Sequence, residues 1–189
     1  MGRPPSALHL VIWFCIPFLG SAALSHAANE TPAGASAADK AFYEVADRYL
    51  DETQRLFPTQ SSINGYHKYD GLLEDFSAQS VTKMVATFKS FRKELAGIDR
   101  ARLSVSAQVD RSLLIQDCEA NLFLLTSLRP FLKDPLFYND ILGSSTLFIT
   151  QTPPDSKEFP ARMERVMARM KRIPAFLEQA KKNLVNPAQ

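Results

Sequence analysis

Residues 104–130, SVSAQVDRSLLIQDCEANLFLLTSLRP, decide the fold class. Ile115, Cys118, Leu122 and Leu125 recur at alternating three- and four-residue steps, which places them on one side of an α-helix and not on one face of a strand. Phe123 and Leu124 widen that apolar surface, so the segment reads as a central helix. Ser104 or Ser106 supplies its N-cap, and Pro130 ends it by disfavouring helical geometry at the residue before.

The same period extends in both directions. Upstream, a helix capped by Ser77 carries Val81, Met84, Val85, Phe88, Phe91 and Leu95 inward and stops at Gly97. The first helix starts near Asp39, with Phe42, Val45, Ala46, Tyr49, Thr53 and Leu56 on one face. Its other face is charged, with Glu44–Arg48 and Asp51–Arg55 as i,i+4 pairs, and Pro58 ends it. Downstream, Tyr138 to Ile149 reads as a shorter helix behind Asp134-Pro135. The last helix follows a capping box of Asp155 and Glu158. Its apolar face is Met163, Val166, Met167, Met170, Ile173, Leu177, Ala180 and Leu184, and Pro174 is expected to kink it. Between the first two helices, PTQSSINGYHKYDGLLED at 58–75 has no sustained period and is punctuated by Asn64-Gly65 and Asp70-Gly71. An ordered irregular loop is the reading, with a hairpin on those turns as the alternative. The expectation is an all-α fold of about five helices in an irregular bundle, with that turn-rich loop after the first helix.

The N-terminus has the order of a secretory signal peptide: Arg3, an apolar run over 8–24, and the small-residue site Ser25-His26-Ala27. Interrupted by His9, Pro17 and Gly20, the run falls short of the ~20 clean apolar residues of a bilayer span. Residues 1–27 therefore read as a cleaved signal, and 28–38, ANETPAGASAA, as a flexible linker. Residues 39–189 make the helical domain. An exported product, periplasmic or secreted, follows, with membrane attachment only through an uncleaved signal.

Cleavage leaves 21 basic against 20 acidic side chains, which gives no global attraction to nucleic acid. It also leaves His67 as the only histidine and Cys118 as the only cysteine, so neither a two-histidine zinc site nor an intramolecular disulfide can form. Cys118 lies in an apolar helix and reads as a core residue. A Cys118–His67 pair is the formal alternative. No serine-nucleophile, phosphate-loop or paired-cysteine motif is present, and no catalytic or metal-binding residue is assigned.

Two features remain as candidate substrate- or partner-binding elements. Tyr66, His67, Tyr69 and Asp70 combine aromatic surface, a titratable ring and a carboxylate on one loop. Loop anchoring by the tyrosines and a turn organised by Asp70 is the reading favoured for them over binding. Arg162, Arg165, Arg169 and Arg172 form a basic stripe at helical spacing, with Arg165 and Arg169 at its centre. It suits docking to an acidic partner or another domain, or a solvated face. The Met163, Met167 and Met170 cluster reads as core filling.

Ala46-Asp47-Arg48-Tyr49-Leu50, Leu56-Phe57-Pro58-Thr59 and the run from Asn64 to Asp70 resemble the opening of the exported bacterial proteins grouped as domain of unknown function 885. Leu103-Ser104, the run from Val109 to Leu114, Ile173-Pro174 and Asn183-Leu184 continue the resemblance in order. It implies a mostly helical fold and membership of a family similar to zinc metallopeptidases. The metal motif of that family, H-E-x-x-P-G-H, lies beyond the matched region, so zinc is expected only in longer members and none in this chain. The first functional reading is the N-terminal helical segment of such a hydrolase-like protein, inactive alone, walling the substrate cleft for a peptide and completed by a C-terminal catalytic portion. As a truncated product or a domain put to another use, it would lack the chemistry. The second is a free-standing exported helical module that binds a protein or peptide.

Overall fold

The computed structural model describes residues 36–151 and 153–184. The signal peptide and most of the expected linker lie outside the described residues. The linker expectation is corrected at its end, because Ala37 and Ala38 already belong to α1 (Ala37–Leu56). The cause is a capping box one residue earlier: the Ser36 hydroxyl accepts the Asp39 amide at 3.0 Å, and Asp39 Oδ2 accepts the Ser36 amide at 3.3 Å.

The fold is all-α, with no strand among the described residues. After α1 come α2 (Pro58–Ile63), α3 (Ala78–Gly97) and α4 (Val105–Phe123). These are followed by α5 (Pro135–Ser144), α6 (Leu147–Thr150), α7 (Phe159–Met170) and α8 (Ile173–Asn183). Of the two serines offered as caps for α4, Ser104 takes the role, accepting the Ala107 amide at 3.3 Å. Its own amide donates to Asp39 Oδ1 at 2.9 Å, so one carboxylate fastens the starts of α1 and α4 together. Further along, Tyr43 donates to Asp110 at 2.9 Å and Tyr49 donates to Asp117. The contacts advance in the same direction on both helices, so α1 and α4 run parallel. Helix α3 packs on both, and Arg111 of α4 satisfies its last carbonyls, donating to Leu95 at 2.8 Å and Ala96 at 3.0 Å.

The core of this half is Phe42, Tyr49, Phe88, Leu95, Cys118, Leu122 and Leu125, all buried. In the second half Phe76 stacks on Phe131 at 5.5 Å and meets Phe137 edge-on at 4.9 Å, and Tyr138 meets Phe176 at 5.3 Å. Asn183 ties α8 to this cluster, donating to the Phe76 carbonyl at 2.9 Å and to the Tyr138 hydroxyl at 2.7 Å.

Several expectations are corrected. Helix α4 is not covered on all sides: Val105, Val109, Leu113 and Phe123 are exposed. After Phe123 the chain widens into a π-turn, Leu124–Leu128, then breaks at Arg129 with φ +48° before Pro130. The helix expected over 138–149 is two, parted at Ser145. The last helix is also two, because Pro174 has no N–H for the Met170 carbonyl and its ring crowds that oxygen; Pro174 instead sits in the first turn of α8. The Asp155–Glu158 capping box does not form, and Ser156 Oγ accepts the Glu158 amide at 3.1 Å. On α1 the i,i+4 ion pairs give way to partners with better reach: Arg48 pairs with Glu94, Arg55 with Glu52, and Asp51 with Lys68.

The largest reversal is in α7. It buries Val166 and Arg169, while Met167 and Met170 are 56% and 48% exposed. Met167 and Met170 point outward and Arg169 inward, with Arg162 and Met163 half-buried and Arg165 exposed. Among the described residues no helix is long and apolar enough to cross a membrane.

The Ser104 amide, with Ser36, holds the Asp39 carboxyl below the ordinary aspartate range against the opposing pull of burial. The folded state thus binds this proton less tightly than the unfolded state. Its stabilising contribution is complete above the ordinary aspartate pKa and is lost as pH falls through the depressed value. Asp39→Asn is expected to flatten the acid side of the stability curve, followed by urea denaturation from about pH 5 to about pH 2. An acid limb as steep as the wild type would contradict this.

Candidate functional site

The segment 58–75 is built on Pro58, which ends α1 and opens α2 as its first residue, where its missing N–H costs nothing. The Glu74 carboxylate closes the segment, accepting the Thr59 amide and the Thr59 hydroxyl at 2.8 Å each. It caps a helix start whose amides would otherwise be unsatisfied. The other end of α2 explains Asn64-Gly65: the Tyr66 amide returns to the Ser61 carbonyl at 2.9 Å and the Gly65 amide to Ser62 at 3.1 Å. This is a Schellman cap with Gly65 at φ +83°, so the pair terminates a helix and does not turn a hairpin. Asp70-Gly71 forms the second turn, closed by the Leu72 amide on the Tyr69 carbonyl at 2.9 Å.

Helix α7 lies against this loop by its arginines. Arg169 is fully buried; Nη1 donates to the Ser145 carbonyl at 2.5 Å. Nη2 faces the Pro58 carbonyl at 3.1 Å, Ser62 Oγ at 3.1 Å and the Tyr69 carbonyl at 3.3 Å. Its Nε–H has no hydrogen-bond partner among the described residues. Burial lowers the Arg169 pKa, against the pull of the Glu74 and Asp70 carboxylates. Burial likewise raises the Glu74 carboxyl, opposed by Thr59 and Arg169. Above Arg169, Arg165 donates to the His67 carbonyl at 3.1 Å, and beyond α7 Arg172 donates to the Gly71 carbonyl at 3.0 Å.

His67 bridges Asp70 Oδ2, 3.0 Å from Nδ1, and Arg162 Nη1, 3.0 Å from Nε2. A guanidinium only donates, so Nε2 accepts and the ring proton sits on Nδ1, directed at Asp70. Asp70 is itself fully buried and its Oδ1 lies 2.6 Å from the Ser62 hydroxyl. Serine, histidine and aspartate thus occur together, but in an order that gives no nucleophile. Ser62 is buried and bonded to the aspartate, and the nitrogen that would take its proton is held by Arg162. The network holds a loop; it does not activate an oxygen.

The two candidate features of the sequence, the 66–70 loop and the arginine stripe, are therefore brought together as each other's partners. Tyr69 donates to Asp51 of α1 at 2.9 Å and Lys68 pairs with the same carboxylate at 2.5 Å. Tyr66 stays 54% exposed. Thr59, Ser62, Glu74 and Ser145 were not singled out in the sequence. Only the helical register shared by Arg162, Val166 and Arg169 hints that a basic face turns inward. Cys118 is not brought to His67: it is buried beside Tyr49, and burial pushes its thiol up to about 11. Among the described residues no group of three or more His, Cys, Asp or Glu side chains is placed to hold a metal ion.

Two measurements check these assignments. Arg169→Met is expected to cost about 3–5 kcal/mol in urea unfolding, since it strips Asp70 and Glu74 of their buried countercharge. Arg169→Lys is expected to lose part of that, because it replaces the planar two-nitrogen fork that meets Ser145 and Pro58 with one nitrogen; wild-type stability in both variants would contradict the role. Cys118 is expected to react with a disulfide reagent at pH 8 far more slowly in the native protein than in urea, with about one thiol in a thousand ionised. Equal rates in the two states would contradict its burial.

Comparison with known proteins agrees with the fold. A solved structure described as a putative lipoprotein of unknown function from Shewanella oneidensis superposes with a TM-score of 0.69 at 24% identity. The match covers 78% of this chain and 26% of that one, so this chain spans about a quarter of the longer protein's length. No curated protein matches. The family described as "Bacterial protein of unknown function (DUF885)" matches residues 58–189, from the first residue of α2 through α8 and beyond. That region contains the loop, the buried arginine and the helices that hold it, and the chain belongs to this family.

Proposed function

We propose that this chain is a supporting helical module of an exported family member, one that positions other parts of a longer architecture and performs no chemistry itself. The observation that carries the proposal is the inward satisfaction of the candidate site. Arg162, Arg165, Arg169 and Arg172 all donate to the 58–71 segment or its neighbours, and His67, Asp70 and Ser62 are each engaged by another member of the network. Such a site makes a rigid element, not a reactive one.

Export is supported by the signal-peptide order of residues 1–27 and by the description of the structural neighbour as a lipoprotein. The metallopeptidase-like, hydrolytic activity implied by the resemblance belongs in this reading to the longer architecture, where the module would wall a peptide-binding cleft. The difference in length between this chain and the neighbour supports the existence of such a remainder.

The test is direct. The purified chain is expected to hold less than a tenth of an equivalent of zinc by elemental analysis and to leave a mixed peptide library uncut. Stoichiometric zinc together with chelator-sensitive cleavage would overturn the proposal.

A further inference from the structure

Helix α4 carries two apolar faces, and only one is covered. Ala107, Cys118 and Leu122 point into the core. On the opposite side Val105, Val109, Leu113 and Phe123 are 79%, 54%, 57% and 55% exposed. At 100° per residue these four, with Gln116 and Ala120 between them, fall within one arc of about 80°. The stripe runs the length of the helix, about 27 Å at 1.5 Å per residue. Isolated exposed aliphatic side chains need no explanation, but an apolar stripe along one helix, interrupted only by Gln116, has the form of a helix-docking surface.

Its rims say what kind of helix fits. Asp110 and Asp117 flank one side, and Glu119 flanks the other. Asp110 and Asp117 accept hydrogen bonds from Tyr43 and Tyr49, neutral donors that leave the carboxylate charge in place. Glu119 lies 4.0 Å from Arg92. The one basic residue of α4, Arg111, turns away from the stripe to the Leu95 and Ala96 carbonyls. An antiparallel second copy would set the Asp110–Asp117 rim against the same rim of its mate, so like charges would meet there.

We infer that the Val105–Phe123 stripe is the docking site for an amphipathic helix with an apolar face and lysine or arginine rims, contributed by the further chain of longer family members. This rests on the supporting-module reading above and names the surface and the chemistry by which the module attaches. The occupant is placed in the longer chain because the similar solved protein contains this fold within 26% of its length.

The probes are two 20-residue helical peptides with the same leucine stripe, one with lysine rims and one with glutamate rims. Each is titrated into the full chain by calorimetry at low and at physiological salt. The lysine peptide is expected to bind at least tenfold more tightly than the glutamate peptide, and to weaken as salt rises. Leu113→Asp, an exposed position, is expected to abolish binding, while Met167→Asp on the outward face of α7 leaves it unchanged. Equal binding of the two peptides, binding of neither, or full binding to the Leu113→Asp variant would overturn the inference. A Leu113-dependent dimer in sedimentation would overturn it in favour of a second copy. Zinc-dependent hydrolysis by the chain would sink the module reading without altering these titrations, so the two failures are distinguishable.

Discussion

A guanidinium withdrawn from water is the constraint around which the second half of this molecule is arranged. Desolvating Arg169 costs several kcal/mol unless its charge and its donors are met. While its Nε–H stays unpaired among the described residues, its Nη donors are met by groups that the backbone itself leaves over: the Pro58 carbonyl at the start of α2, the Tyr69 carbonyl in a turn, and the Ser145 carbonyl at the break between α5 and α6. One side chain thus fastens three places that share no secondary structure. Asp70 and Glu74 supply the countercharge, and each is held by a hydroxyl of α2, Ser62 and Thr59 respectively. Without the arginine, two carboxylates would be buried without a cation.

This accounts for the orientation of α7. A helix with methionines on one face and arginines on the other has two ways to lie on a protein, and composition favours burying the methionines. Here the adjoining surface is a loop rich in free carbonyls, and a carbonyl left unpaired in the interior costs more than an exposed thioether. Arg169 goes in, and Arg162, Arg165 and Arg172 reach the loop from its edge. The same demand explains why Ser145 interrupts the helix expected over 138–149: its carbonyl is directed to Arg169 and not along a continuing helix.

The residue types in the network are those of hydrolytic sites, yet their order decides otherwise. In a catalytic triad the imidazole stands between hydroxyl and carboxylate; here the carboxylate stands between hydroxyl and imidazole, and a guanidinium occupies the far ring nitrogen. Rigid, internally satisfied loops of this kind suit a module that presents surfaces. One uncovered apolar surface lies on α4, at the opposite face from the Tyr49–Cys118 core.

Residues 104–130 alone determined that the protein is helical, because a three-and-four spacing of apolar side chains fits one backbone period and excludes the other. Local caps were legible too: Ser77, and Ser104 as one of two candidates, act within one turn of chain. On α4 and the π-turn after it the spacing picked the side that is buried, Cys118, Leu122 and Leu125. What could not be read was which side of α7 meets the core, where Met167 looks more buried than Arg169. That choice belongs to tertiary structure, since it depends on carbonyls and carboxylates that the rest of the chain brings from up to 111 residues away in sequence.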